Sequence, residues 1–174
     1  MDLIGVKQYD DPGKNAVWNY VAGYTVTDIN KMLRQDRRLK SLTAVCDLID
    51  SQMQILKPMT LYRTVEWDYL KNIYNIDKKN LDSCLGYEFI ANAYTCTTKT
   101  RKSVWSSKWF DYEVLMEIET NRKTKGVVIN DMFNKTEIDC VDQEEVLLQR
   151  KLHFVITDYY MMSENGLTRT PKKK

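Results

Sequence analysis

Three short stretches of this 174-residue chain hold side chains whose types and spacing suit chemistry: LYRTV at 61–65, AYTCTTKT at 93–100 and DQEEVLLQRKLHFVI at 142–156. Arg63 interrupts an apolar, β-prone run, and an arginine there is costly unless an anion meets it. Its planar fork suits a phosphate or a carboxylate, so the alternatives are a ligand anion or an internal ion pair. Thr95, Cys96, Thr97 and Thr98 close a second β-like run with small hydrogen-bonding groups. Such a cluster can brace a carboxylate or line a pocket, although hydroxyl-rich strand ends are common. In the third stretch, Gln143 and Glu145 share a face if the chain is extended, because successive side chains alternate. An amide beside a carboxylate could stabilise a developing cation while holding an acceptor group. The plainer reading is a charged strand entrance facing water.

The elements that must position these residues fall into two regimes. Residues 38–56, RLKSLTAVCDLIDSQMQIL, place Leu39, Leu42, Val45, Cys46, Ile49, Met53 and Leu56 at helical spacing, with Pro58 as the expected terminator. Before them, TVTDINKMLRQDRR predicts another helix, with Thr25 or Thr27 as its N-cap. After Pro58 the segments MTLYRTV, YEFIANAYTCTT, YEVLMEIET, GVVIN, EVLL and LHFVITDYY are short and rich in β-branched or aromatic residues. Helical stretches at EWDYLKNIY and near RKSVWSS interrupt them. Helices first and strands afterwards predict an α+β domain. No GxGxxG follows a strand, so a Rossmann nucleotide site is not supported.

Composition narrows the function classes. At 20.6 kDa, with 43% hydrophobic and 29% charged residues, the chain suits one domain with a full core. We expect a unit spanning 1–174, with a helical part at about 14–57, a β-rich core at about 59–162 and a tail from about 163. A net charge of +2 is too small to argue for nucleic acid. The basic residues Lys31, Arg34, Arg37, Arg38 and Lys40 mostly read as a solvated helix face, and Lys172, Lys173 and Lys174 as a frayed end. Cysteines at 46, 84, 96 and 140, without CxxC spacing and with one histidine, do not make a zinc site. Reduced thiols in a cytosol are the favoured state. His153, in LHFVIT, reads as a partly buried strand residue. No run reaches the ~20 apolar residues of a membrane span, and the start lacks an apolar core of signal-peptide length. The expectation is a monomer without membrane or nucleic-acid partners.

The order of the motifs is more specific than any one of them. An arginine in an aromatic-Arg strand, then a Ser/Thr-type triplet, then Gln-x-Glu before VLL resembles the bacterial mono-ADP-ribosyltransferase toxins, the group of the Rho-modifying clostridial exoenzymes and the actin-modifying binary toxins. YTVTDINKMLR is similar to that family's tyrosine-led helix ending in IN-x-x-LR, and KGVVIN followed by EEVLLQRKLHFVI is similar to its closing strands. The resemblance covers about Tyr20 to Tyr159. It implies N-terminal helices followed by a split, two-sheet mixed β core with a central cleft for NAD. It further implies that Arg63, helped by Arg34, binds the NAD phosphates, and that Tyr24 and Asn30 lie on the adenine-ribose side. Cys96, Thr97 and Thr98 match the family's Ser-Thr-Ser element, with Cys96 where a glutamate-orienting serine stands. Glu145 matches the catalytic glutamate and Gln143 the residue that shapes acceptor choice, Gln-x-Glu going with amide rather than arginine acceptors.

The loop KTRKSVWSSKWF should supply an aromatic (Trp105, Trp109 or Phe110) and a cation (Arg101, Lys102 or Lys108). The loop FNKTEIDCVD, which reads the target in that family, has Phe133 as its nearest aromatic before Gln143. The implied activity is transfer of ADP-ribose from NAD to a protein side chain with release of nicotinamide, by a bacterial or phage toxin or effector. A small GTPase is the family precedent for the target. Two other readings remain: an NAD glycohydrolase with water as acceptor, and a non-catalytic module that keeps the fold.

Overall fold

The structure, a computed structural model, describes residues 9–102, 114–138, 144–163 and 166–169. Helix α1 spans Pro12–Val21. Its start combines proline in the first turn with an Asp11 carboxylate that accepts from the Gly13 and Lys14 amides at 2.7 and 3.2 Å, satisfying two otherwise orphan donors. Helix α2 spans Val26–Arg34 and α3 spans Lys40–Ser51. Thr25 occupies the α2 N-cap, but its side chain makes no capping bond. The third helix stops well before Pro58. The Gln52 and Met53 amides bond back to the Ile49 and Asp50 carbonyls, closing the last turn, and Gln54–Ile55 then forms strand β1.

The remaining elements are β2 (Thr60–Val65), α4 (Trp67–Tyr74), a 3₁₀ stretch (Lys78–Cys84), β3 (Glu88–Ala91), β4 (Thr95–Thr98), β5 (Val114–Glu119), β6 (Lys125–Val128), α5 (Ile129–Met132), β7 (Glu145–Leu148), β8 (Leu152–Val155), β9 (Tyr160–Ser163) and β10 (Gly166–Arg169). Six strands form one sheet in the order β1-β6-β7-β4-β2-β5, β3 pairs with β8, and β9 pairs with β10. The expected split, two-sheet α+β architecture is met. Pairing among the described residues is antiparallel throughout rather than mixed.

The run YEFIANAYTCTT, continuous to the eye, is divided: its first half joins β8 in the small sheet and its second half enters the large one. Tyr94 anchors the crossing point. It is buried, and its hydroxyl donates to the Cys46 carbonyl at 3.0 Å and the Asp50 carboxylate at 2.6 Å. Strand β7 shows how one sheet serves two cores. Leu147 packs with Val17, Tyr20, Ile29 and Ile49 on the helix side, while Val146 and Leu148 pack with Leu56, Leu61 and Ile118 on the other. A third cluster, Val65, Leu70, Ile76, Cys84 and Phe89, lies under α4. His153 is not partly buried as expected. Leu152 and Phe154 take the inward positions of β8, leaving His153 exposed and paired with Glu88 at 3.1 Å. Cys46, Cys84 and Cys96 are free thiols, and Cys140 lies outside the described residues.

Candidate active site

The large sheet comes apart between β2 and β4. These strands share one register pair, Tyr62 opposite Thr98. Beside it, Arg63 donates through Nη1 to the Cys96 carbonyl at 3.0 Å, a guanidinium where a continuing ladder would have placed a backbone amide. Among the described residues this arginine has no carboxylate partner, so the internal ion pair is not what holds it.

A second guanidinium arrives from α2. Arg34 occupies the last turn of that helix, where the helix dipole favours a cation. Its Nη2 donates to the Tyr69 hydroxyl at 3.3 Å, and its Cζ stands 5.2 Å from the Tyr69 ring centroid. Arg63 Cζ lies 5.7 Å from the same centroid. The Nε of Arg34 is buried without a hydrogen-bond partner, and its guanidinium also lacks a carboxylate among the described residues. Two cations therefore converge on one tyrosine with donors to spare. That is an arrangement for a multivalent anion.

Tyr20 and Asn30 flank the pair. Tyr20 is fully buried and donates to Asn30 Oδ1 at 2.9 Å. Burial pushes its phenol far above the ordinary range and Cys96 adds to this, while the Asn30 bond and the charges of Arg63 and Arg34 act against it. The hydroxyl is a donor at neutral pH, close enough to both guanidinium groups to feel their charge. Tyr24, the tyrosine singled out by the resemblance, sits in the turn before α2, 56% exposed and stacked on Trp18 at 5.5 Å.

Glu145 opens β7 directly opposite Thr98, which brings their Cβ atoms to about 5 Å. Cys96 lies on the same face but opposite Leu147, so the hydroxyl facing the glutamate belongs to Thr98. Thr98 Oγ1 also accepts from the Thr100 amide at 3.2 Å. The Thr97 hydroxyl is turned the other way and donates to the buried Val146 carbonyl at 2.7 Å, tying β4 to β7 just behind Glu145. Residue 144 corrects the extended reading of 143–148. Glu144 has φ = 48°, a left-handed turn, and its carbonyl accepts from the Lys99 amide at 3.1 Å, so the strand begins at Glu145. Gln143 lies outside the described residues, as do Trp105, Lys108, Trp109 and Phe110. Arg101 and Lys102 form an exposed helical turn, and Phe133 is a core residue packed against Tyr9.

The structure thus gathers Arg34, Asn30, Arg63 and Cys96 into one cluster and sets Thr97, Thr98 and Glu145 along the adjacent β4–β7 joint. Tyr20 and Tyr69 belong to the cluster and were missed from sequence. Tyr69 left one signal, six residues after Arg63 in a helix that must turn back over the strand, and Tyr20 another, on the apolar face of α1 beside Ala16 and Val17.

A sequence model of the ADP-ribosyltransferase exoenzyme family matches residues 6–171. No curated protein sequence matches the chain significantly. Among solved structures, the C3 exoenzyme of Clostridium limosum superposes with a TM-score of 0.66 at 19% identity, covering 93% of this chain and 87% of that one. C3stau2 from S. aureus, solved with NAD, gives 0.66 at 16% identity over 97% and 92%. Exoenzyme S from Pseudomonas aeruginosa, solved with human 14-3-3 protein beta and carba-NAD, gives 0.63 at 15% over 95% and 73%. At such identities the superpositions establish the fold, while the sequence match runs almost end to end. On these grounds the chain belongs to the bacterial ADP-ribosyltransferase exoenzyme toxins, a family of NAD-dependent transferases.

Proposed function

We propose that this protein transfers ADP-ribose from NAD to an amide side chain of a target protein and releases nicotinamide. The observation that carries the reading is the convergence of Arg34 and Arg63 on Tyr69, without a carboxylate partner among the described residues, in a fold whose β4–β7 joint presents Glu145. The NAD and carba-NAD found in the S. aureus and P. aeruginosa structures support the same donor here.

The chemistry follows from residue types. The two guanidinium groups clamp the diphosphate and so fix the rest of the dinucleotide. Asn30, its amide oriented by Tyr20, faces the adenine-ribose portion, and Tyr24 rims that side. Cleavage of the nicotinamide–ribose bond sends its electron pair to the departing nicotinamide and leaves positive charge on the ribose, as in glycoside hydrolysis. The Glu145 carboxylate beside that carbon stabilises the charge as it forms, which lowers the barrier rather than merely tightening binding. Thr98 braces Glu145, and Thr97 holds the strand beneath it. The acceptor nitrogen then bonds to the ribose carbon and loses a proton. Gln143 pairs with the amide of the acceptor, where a second carboxylate would favour a guanidinium.

The target is a protein of the host cytoplasm, a small GTPase being the first to test, and the enzyme acts as a monomeric effector. No helix among the described residues is long and apolar enough to cross a membrane.

Incubation with labelled NAD and a mixed lysate, comparing wild type with Glu145→Ala, tests this. One labelled protein band that the variant loses, with the label mapped to asparagine or glutamine, is the expected result. Label on arginine would overturn the acceptor assignment. Nicotinamide release without any band points to a glycohydrolase, and the absence of both turnover and NAD binding points to a non-catalytic module.

A further inference from the structure

We infer that Tyr69 is a positioning residue for the reaction, holding the two diphosphate-binding arginines at working distance while leaving their charge unspent. The inference rests on the reading that the NAD diphosphate binds at Arg34 and Arg63. Two guanidinium groups this close repel each other, and proteins ordinarily relieve that with a carboxylate between them. A carboxylate would compete with the incoming diphosphate, which must then break an ion pair before it binds. Here the common partner is a neutral aromatic ring. Arg34 and Arg63 stand 5.2 and 5.7 Å from its centroid, within cation–π range, and the phenol oxygen accepts from Arg34 Nη2 at 3.3 Å.

The ring is itself held. Tyr69 lies edge-on to Tyr74 at 5.7 Å, with the two hydroxyls 3.4 Å apart. Tyr74 packs on Phe89 at 4.4 Å, and Phe89 stacks on Phe154 at 5.2 Å. This aromatic column runs from the arginines into the core under α4, so the ring has little freedom to follow either cation. Arg34 comes from α2 and Arg63 from β2, elements that owe their separation to different cores. Tyr69 is the group that registers one against the other.

The test uses Tyr69→Leu and Tyr69→Phe with two probes, ADP and adenosine, and steady-state kinetics with NAD. Leucine removes the ring and phenylalanine removes only the hydroxyl. Loss of both cation–π contacts should weaken ADP about tenfold in Tyr69→Leu, and loss of the hydroxyl about two- to threefold in Tyr69→Phe. Adenosine, lacking phosphate, should bind all three proteins alike. KM for NAD should rise in step with the ADP dissociation constant while kcat stays within about twofold. Unchanged ADP affinity in both variants would overturn the inference. So would parallel weakening of ADP and adenosine, which marks a merely structural residue. Failure of the wild type to bind ADP or NAD would instead sink the NAD reading on which the inference stands.

Discussion

In the proposed mechanism Glu145 and Arg63 do different work, and kinetics should separate them. Replacing Glu145 by alanine removes a charge that matters only as the ribose becomes cationic. The expected result is a fall in kcat on the order of 10²–10³ with the NAD dissociation constant nearly unchanged. Glu145→Gln should lose nearly as much, because it keeps the shape opposite Thr98 but not the charge; single-turnover nicotinamide release measures both. Arg63→Met acts on the ground state as well, so it should raise the KM for NAD at least tenfold, the size of one lost charge-assisted contact of about 1.5–3 kcal/mol. At this scale the candidates themselves were legible. An arginine in LYRTV and an acid before VLL carry their chemistry in their own side chains. Tyr69 left only its spacing from Arg63 as a signal, since its partners lie on two other elements, one of them 35 residues away.

The joint between β4 and β7 carries the glutamate, and its integrity is an element-scale property. Thr97→Val keeps the shape but strips the hydroxyl that satisfies the buried Val146 carbonyl, which should cost about 1–3 kcal/mol and show as a lowered urea midpoint. Gly126, on β6 beside β7, has no room for a side chain: a Cβ there would stand 2.8 Å from the Leu147 carbonyl oxygen and 2.9 Å from Leu56 Cδ1. Gly126→Ala should therefore push β6 off β7 and destabilise the fold by about 1–3 kcal/mol, read in the same titration. Periodicity found the strands but not their ends. The run 87–98 looks like one strand because both halves are β-prone, yet its halves pair with β8 and β7 in different sheets. The left-handed turn at Glu144 is equally silent in sequence, since glutamate has no preference for that conformation.

Across the whole molecule, four phenols tie stability to alkaline pH. Burial raises Tyr9, Tyr20, Tyr74 and Tyr94 well above the ordinary value of 10.0, with Glu137, Cys96, Tyr69 and Asp50 respectively adding to it. The folded state thus holds these protons more tightly than the unfolded chain. Below pH 10 both states are protonated and the contribution is complete; above it the unfolded chain ionises first and stability falls. The unfolding midpoint should drop steadily above pH 10, and Tyr20→Phe should flatten that slope, as thermal scans across the range will show. The same long-range packing marks the limit of what a sequence can say. The chain by itself determined the candidate side chains and their order, the helices-then-strands regime and the family they resemble, because each is written in residue type and local period. The tertiary structure decided that Tyr20 rather than Tyr24 joins the arginines, that Thr98 rather than Cys96 faces Glu145, and that the sheet parts beside Arg63. Those outcomes depend on strand register and on how three cores seat their elements, quantities set by contacts between segments that no local window contains.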